Sequence, residues 1–230
     1  MPRSTQDRIL VHCPHCGGHQ PEPREVISTI CRACGAHLLV PDDLQPQPRP
    51  QPARLAVKRI TCFDCPAQID VAVTAESTMC KRCGAYIDLR DYQITNAFCR
   101  NFRTKGTFVV ETKGYVFNTE AMVGEAILKG RFLGKLVAER TLTIYSSAQI
   151  KGTFQAARLV IPAANHFHWT ELIRVGSVEV AGELEANLRV DGTVLLKATA
   201  RMFGGIEAKN LVIEDGAVVV GPARVGLGFA

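Results

Sequence analysis

Two sets of cysteines at one spacing decide most of what the first 90 residues can become. Cys13 and Cys16 form a CxxC pair, and Cys31 and Cys34 form another after 14 intervening residues. Cys62, Cys65, Cys80 and Cys83 repeat the arrangement at an offset of 49. Neighbours repeat with them: Ser28-Thr29 matches Ser77-Thr78, and Gly35-Ala36 matches Gly84-Ala85. This is an internal duplication. A CxxC turn points two sulfurs at one ion, so each set predicts a closed tetrahedral site of four thiolates. Such a site suits zinc and leaves no coordination position open for catalysis. Two structural zinc ions per chain are expected. Gly17, Gly35 and Gly84 follow a second cysteine and permit the left-handed turn that closes the knuckle. Pro66 stands there in the remaining one, which must close differently. The spacing leaves room for a short β-hairpin between knuckles, drawing on Val26, Ile27 and Ile30, or on Ile69, Val71 and Val73.

Each cysteine module is too small for a core of its own, so folding is expected to be coupled to metal binding. The modules span residues 8–40 and 58–92. The linker at 41–57 carries prolines at alternate positions from Pro46 to Pro52 and reads as an extended, semi-rigid spacer that lets the ribbons move independently. His12, His15, His19 and His37 lie near the first set, but four cysteines already complete it, and the histidines read as exposed. Cys99 has no partner and reads as a small apolar residue, buried or partly exposed, rather than a nucleophile.

The formal charge of +5 invites a nucleic-acid reading. Residues 1–105 hold 14 Lys/Arg against 10 Asp/Glu, and residues 106–230 hold 13 against 12. Eight thiolates around two Zn²⁺ would remove four charges, leaving a chain of about +1. Arg32, Lys81 and Arg82 in the knuckles favour nucleic acid, but the overall field does not. Hydrophobic residues at 47% and charged residues at 21% exclude a disordered chain. No run of 18 apolar residues occurs, and the first residues lack the apolar core of a signal peptide, so a cytoplasmic protein with reduced thiols is expected.

The second half is a repeat of 17–18 residues. Val194-Leu-Leu196 recurs 17 later as Leu211-Val-Ile213, and Gly134-Lys-Leu136-Val-Ala138 recurs 18 later as Gly152-Thr-Phe154-Gln-Ala156. Three short alternating pieces per period predict a β-solenoid over residues 106–230, with roughly seven coils about 4.8 Å apart. Inward candidates in the coil from Gly204 are Ile206, Ala208, Leu211, Ile213, Ala217 and Val219. Their uneven gaps argue against the left-handed hexapeptide class.

The pattern G-x-[IL]-x-A-x-x-L-x-I-x-x-x-A-x-V-x-G at Gly204–Gly221 resembles that of bactofilins. The resemblance implies a right-handed triangular β-helix, a bacterial cytoskeletal role, and end-to-end assembly into filaments without nucleotide. The family's N-terminal tail is sometimes membrane-targeting. Here two zinc ribbons stand in its place, so membrane attachment without a partner is not expected, and the ribbons read as adaptors for a protein partner. The C-terminal coil lacks a polar cap: from Gly216 to Ala230 the sole charge is Arg224. Val225, Leu227 and Phe229 are the expected polymer contact.

The repeat slips between Pro162 and Ser177, where Trp169 takes a place held by Gly152 and Gly221 in other coils. His166, Phe167, His168 and Trp169 form either a docking patch or an irregular coil whose aromatics cover a gap in the core. His166 and His168 could share a metal, but no third ligand can be assigned. No P-loop, dinucleotide turn or nucleophile elbow is present, so an enzyme is not expected. A nucleic-acid-binding ribbon protein and a β-helix enzyme are the alternatives to a structural polymer.

Overall fold

The computed structural model describes residues 8–23, 26–40 and 56–226. The chain divides into two compact units, Met1–Leu55 and Ala56–Ala230. The first holds the first cysteine module; the second holds both the second module and the solenoid. The second module packs on the rod, which is why the two share one unit.

In each module the hairpins straddle the knuckles instead of lying between them. Arg8–His12 pairs antiparallel with His19–Pro23, and Ser28–Ile30 with His37–Leu39. Val57–Thr61 pairs with Gln68–Ala72, and Ser77–Met79 with Tyr86–Asp88. The reason is local: the CxxC turn itself reverses the chain, so the strands grow outward from it. Val11, Leu38 and Val40 fill one small core, and Ile60, Val71, Ile87 and Leu89 the other.

The solenoid is entirely strand and turn, about eight coils long, and all its pairings are parallel. It begins at Tyr92–Ile94, upstream of the expected residue 106, and Ala97–Phe98 and Phe102–Val110 complete its first coil. Three faces run along it. Face A stacks residues 97–98, 115–117, 131–133 and 149–151, then 166–168, 183–185, 201–203 and 218–220. Face B stacks residues 102–104, 121–123, 136–138 and 154–156, then 172–175, 187–190, 206–208 and 223–225. Face C is unbroken, running from Tyr92–Ile94 through Phe108, Ala126, Leu142, Leu159, Val178, Val194 and Leu211.

Alternation sends one side chain in two inward. Val110, Leu128, Ile144, Ile161, Val180 and Leu196 form one such column, all fully buried. The corner between faces A and B is held by glycine in four coils, at Gly134, Gly152, Gly204 and Gly221. Gly152 and Gly221 have φ of 120° and 142°. A Cβ on Gly152 would lie 2.1 Å from the carbonyl oxygen of Gly134, and one on Gly221 2.2 Å from that of Gly204. No side chain fits this corner while the ladder stays closed.

At the fifth coil the corner has no glycine. His168 pairs with Glu185 and Leu172 with Asn187, so Trp169, Thr170 and Glu171 together oppose the single residue Ala186. The chain loops out there, and faces A and B are not paired across the fourth-to-fifth coil step.

Candidate metal centres and the ends of the rod

The four sulfurs of each cysteine set lie within 4.8 Å of one another. Cys13 Sγ is 3.7 Å from Cys34 Sγ, and Cys16 Sγ 3.6 Å from Cys31 Sγ. The second set matches it: Cys62 to Cys83 is 3.7 Å and Cys65 to Cys80 is 3.6 Å. A disulfide requires about 2.05 Å. A zinc tetrahedron with bonds of about 2.3 Å has sulfur edges of about 3.8 Å. The donor set and its geometry therefore fit a tetrahedral thiolate centre, with Cys13, Cys31, Cys62 and Cys80 on the buried side.

The backbone builds these knuckles as the glycines indicate. Gly17, Gly35 and Gly84 all have φ of 73°. Their N–H groups donate to the carbonyls of Cys13, Cys31 and Cys80 at 2.8–2.9 Å. Pro66 has no N–H, and the fourth knuckle keeps only the outer bond, from Cys62 N–H to the Ala67 carbonyl at 2.9 Å. The Asp64 N–H turns onto Cys62 Sγ at 3.5 Å. Backbone N–H groups of Cys34 and Ala33 pull the Cys31 thiol down to about 6. Those of Cys83 and Arg82 do the same for Cys80. Cys16 is pushed up to about 12: the Gly18 N–H acts the other way, but the crowd of Cys34, Cys31 and Cys13 prevails. One favoured thiolate per site and a neighbour that resists ionising is what a cation at the centre would reconcile.

His12, His15, His19 and His37 are exposed and outside the sulfur cluster. His12 and His19 face each other across the first hairpin, with ring centroids 4.7 Å apart. Arg32 is engaged by Glu22 at 3.3 Å. Cys99 is exposed, not tucked into the core.

The knuckle of the second module grips the rod. Arg103 pairs with Asp64 at 2.8 Å and lies 4.7 Å from the Phe63 ring centroid. Lys105 Nζ sits 4.0 Å from the same centroid and pairs with Glu139. Thr104 Oγ1 donates to the Arg90 carbonyl at 2.7 Å, so the chain leaving the module covers the outer edge of face B. Burial alone would raise the Asp88 carboxyl, but hydrogen bonds from Arg90 and Tyr92 hold it at about 2. Tyr92, Phe98, Phe102 and Phe108 form a chain of ring contacts, 4.8–5.7 Å between centroids, that plugs the core at this end. Nothing in the repeat pattern announced this closure, although an aromatic cluster at 92–108 was there to be read.

At the other end the last described coil is less covered. Below the last coil, Leu196, Met202 and Ala208 are fully buried. Their partners one coil on are less covered: Ile213 and Val225 are each 49% exposed, and Val219 is half-buried. Of the expected polymer contact, Val225 is exposed; Leu227 and Phe229 lie outside the described residues.

Phe167 points into the core, 7% exposed, and Trp169 packs against Phe154 and Phe167 with centroids 5.0 and 5.9 Å away. His166 and His168 point outward, and His168 Nδ1 lies 3.1 Å from Glu185. Strand alternation splits the four residues between core and surface, so they do not make one patch. Among the described residues, the two cysteine sets alone gather three or more metal-ligating side chains.

A family model described as bactofilin, polymer-forming cytoskeletal, matches residues 80–171 and 170–224. The chain belongs to the bactofilin family. The two matched stretches of the bactofilin model meet at residues 170–171, inside the corner insertion where the ladder opens. No curated protein and no solved structure matches the chain. Among the described residues, no helix is long and apolar enough to cross a membrane.

Proposed function

We propose that this bactofilin is a structural, nucleotide-independent polymer whose rods join end to end, with two zinc ribbons as adaptors for a protein partner. The observation that carries the assembly reading is the thinly covered last described coil, with Ile213 and Val225 each 49% exposed and Val219 half-buried beside a sealed core. A strand edge with apolar neighbours seeks another edge, and an identical slice supplies a two-fold contact. Face B of the N-terminal end is covered by the second ribbon, while faces A and C end at Ala97–Phe98 and Tyr92–Ile94. The C-terminal contact forms first, and growth beyond a dimer uses the smaller N-terminal contact. The cytoplasm is the expected site, and the role is mechanical rather than catalytic.

The adaptor reading rests on apolar side chains that the ribbons leave in water. Leu10, Ile27, Ile30 and Leu39 are 62–73% exposed in the first. Such residues on so small a module suit a protein partner better than a phosphate backbone. Electron microscopy and sedimentation of the full chain, with no nucleotide, test the assembly. Filaments are expected in wild type and not in Ile213→Arg; a wild-type chain that stays monomeric at tens of micromolar overturns the proposal.

A further inference from the structure

The step between the fourth and fifth coils leaves two strand edges facing each other without a ladder. Gln149–Ile161 pairs along one side with Arg131–Ile144, but on the other side residues 158–161 alone find a partner, in Ser177–Val180. His166–Val175 pairs only with Glu183–Leu196. Between the two walls lies a groove of about 540 Å³, bordered by residues 153–157 on one side and 171–176 on the other. The inward column changes here. Leu136 and Ala138 are sealed, whereas Phe154 and Ala156, one coil on, are half-buried. Ile173 and Val175 form the floor of the opposite wall.

We propose that this slot docks an extended peptide segment of a partner protein, which adds a strand between the two walls. The chemistry of the walls selects the occupant. Each wall offers a row of main-chain N–H and C=O groups that no strand of the chain takes up, and a single inserted strand satisfies both rows at once. The slot closes at its end, where a Cβ on Gly176 would lie 2.6 Å from the Ala157 carbonyl oxygen, so the open stretches 153–156 and 171–175 suit a segment of about four residues, or roughly 13 Å. Two alternate side chains would enter the core, one between Phe154 and Ile173, the other between Ala156 and Val175. The coil beyond has Leu188 and Val190 in those columns, so aliphatic residues of that size fit. Glu171 and Asp191 at the rim outnumber Arg174, and Glu139 is held by Lys105, which favours a basic residue outside. The chain's own proline run at 46–52 cannot serve, because proline at every second position removes the donors of one whole side.

Trp169, the chain's single tryptophan, borders the groove and reports on it. The test adds to the full-length protein an acetylated heptapeptide copying residues 186–192, Ala-Asn-Leu-Arg-Val-Asp-Gly. A saturable change in Trp169 emission is expected. N-methylating alternate peptide bonds should weaken binding by about tenfold or more, as loss of two main-chain hydrogen bonds would. Ala156→Phe, which fills the slot from one wall, should also abolish it. No saturable change up to millimolar peptide overturns the proposal. Equal binding of the N-methylated peptide overturns the added strand and leaves a plain apolar pocket. Binding unaffected by Ala156→Phe places the peptide elsewhere. An emission change with protein concentration alone makes a second copy the occupant, because end-to-end contacts lie coils away from Trp169.

Discussion

The ammonium of Lys105 lies 4.0 Å from the centre of the Phe63 ring, and Phe63 sits between Cys62 and Cys65 of the second cysteine set. The Lys105 side chain is 2% exposed and reaches Glu139, 2.6 Å away. A charge on the rod is thus covered by the knuckle of the second ribbon, and the candidate metal site and the rod share one contact. Lys105→Met keeps the stem and loses the charge. Because Glu139 is partly solvated, the expected cost is about 1 kcal/mol, read as a small drop in Tm. Phe63→Ala should cost more at the junction. Hydrogen exchange should rise at residues 104–106 while face C at 159–196 keeps its protection.

Elemental analysis should find two zinc ions per chain in protein purified without chelator. Cys31→Ser and Cys80→Ser should each lower the count to one. The two losses should differ in reach: Cys80→Ser exposes amides of residues 102–106, whereas Cys31→Ser leaves them protected. Fewer than one metal in wild type contradicts the assignment of these eight residues.

Much of the metal modules and the repeat could be read from residue order, because both are set by local spacing. The column from Val110 to Leu196 follows from alternation within each coil, and the φ of Gly17, Gly35 and Gly84 from their place after a cysteine. What residue order does not carry is pairing between distant edges. Trp169 was visible as an intruder in the glycine column, but that Thr170 and Glu171 loop out with it, and that residues 149–156 lose a partner, depends on coils 17 or more residues away. The apolar residues between the knuckles suggest a hairpin there, but each CxxC turn itself reverses the chain and pairs the strands on either side of it. The rod's earlier start at Tyr92 was hidden by its closeness to Cys83, where one fold runs directly into the other.

Trp169→Ala should cost about 1–2 kcal/mol, less than the ~3–5 typical of a fully buried aromatic, because the ring is only half-buried. Thermal unfolding measures it. A loss above that range would mean that the ring seals the core rather than edging the groove.

Ile213→Arg and Val225→Arg place charge on the last described coil. Each should leave Tm nearly unchanged, since both positions are 49% exposed, and should remove the largest assemblies seen by sedimentation. Glu207 already pairs with Arg224, so it is not free to neutralise the new charge. Assemblies of wild-type size in both variants would exclude this end as the contact.

Face C is the one ladder that crosses the midpoint without interruption. The rod is in effect two four-coil blocks joined by a single seam of residues 158–161 and 177–180. A force that bends the rod away from that seam meets little main-chain resistance, while a force toward it closes the slot. Stiffness therefore differs with direction, and any filament of such rods carries a compliant joint inside every subunit. Its bending would be set as much by the middle of the chain as by the contacts at its ends.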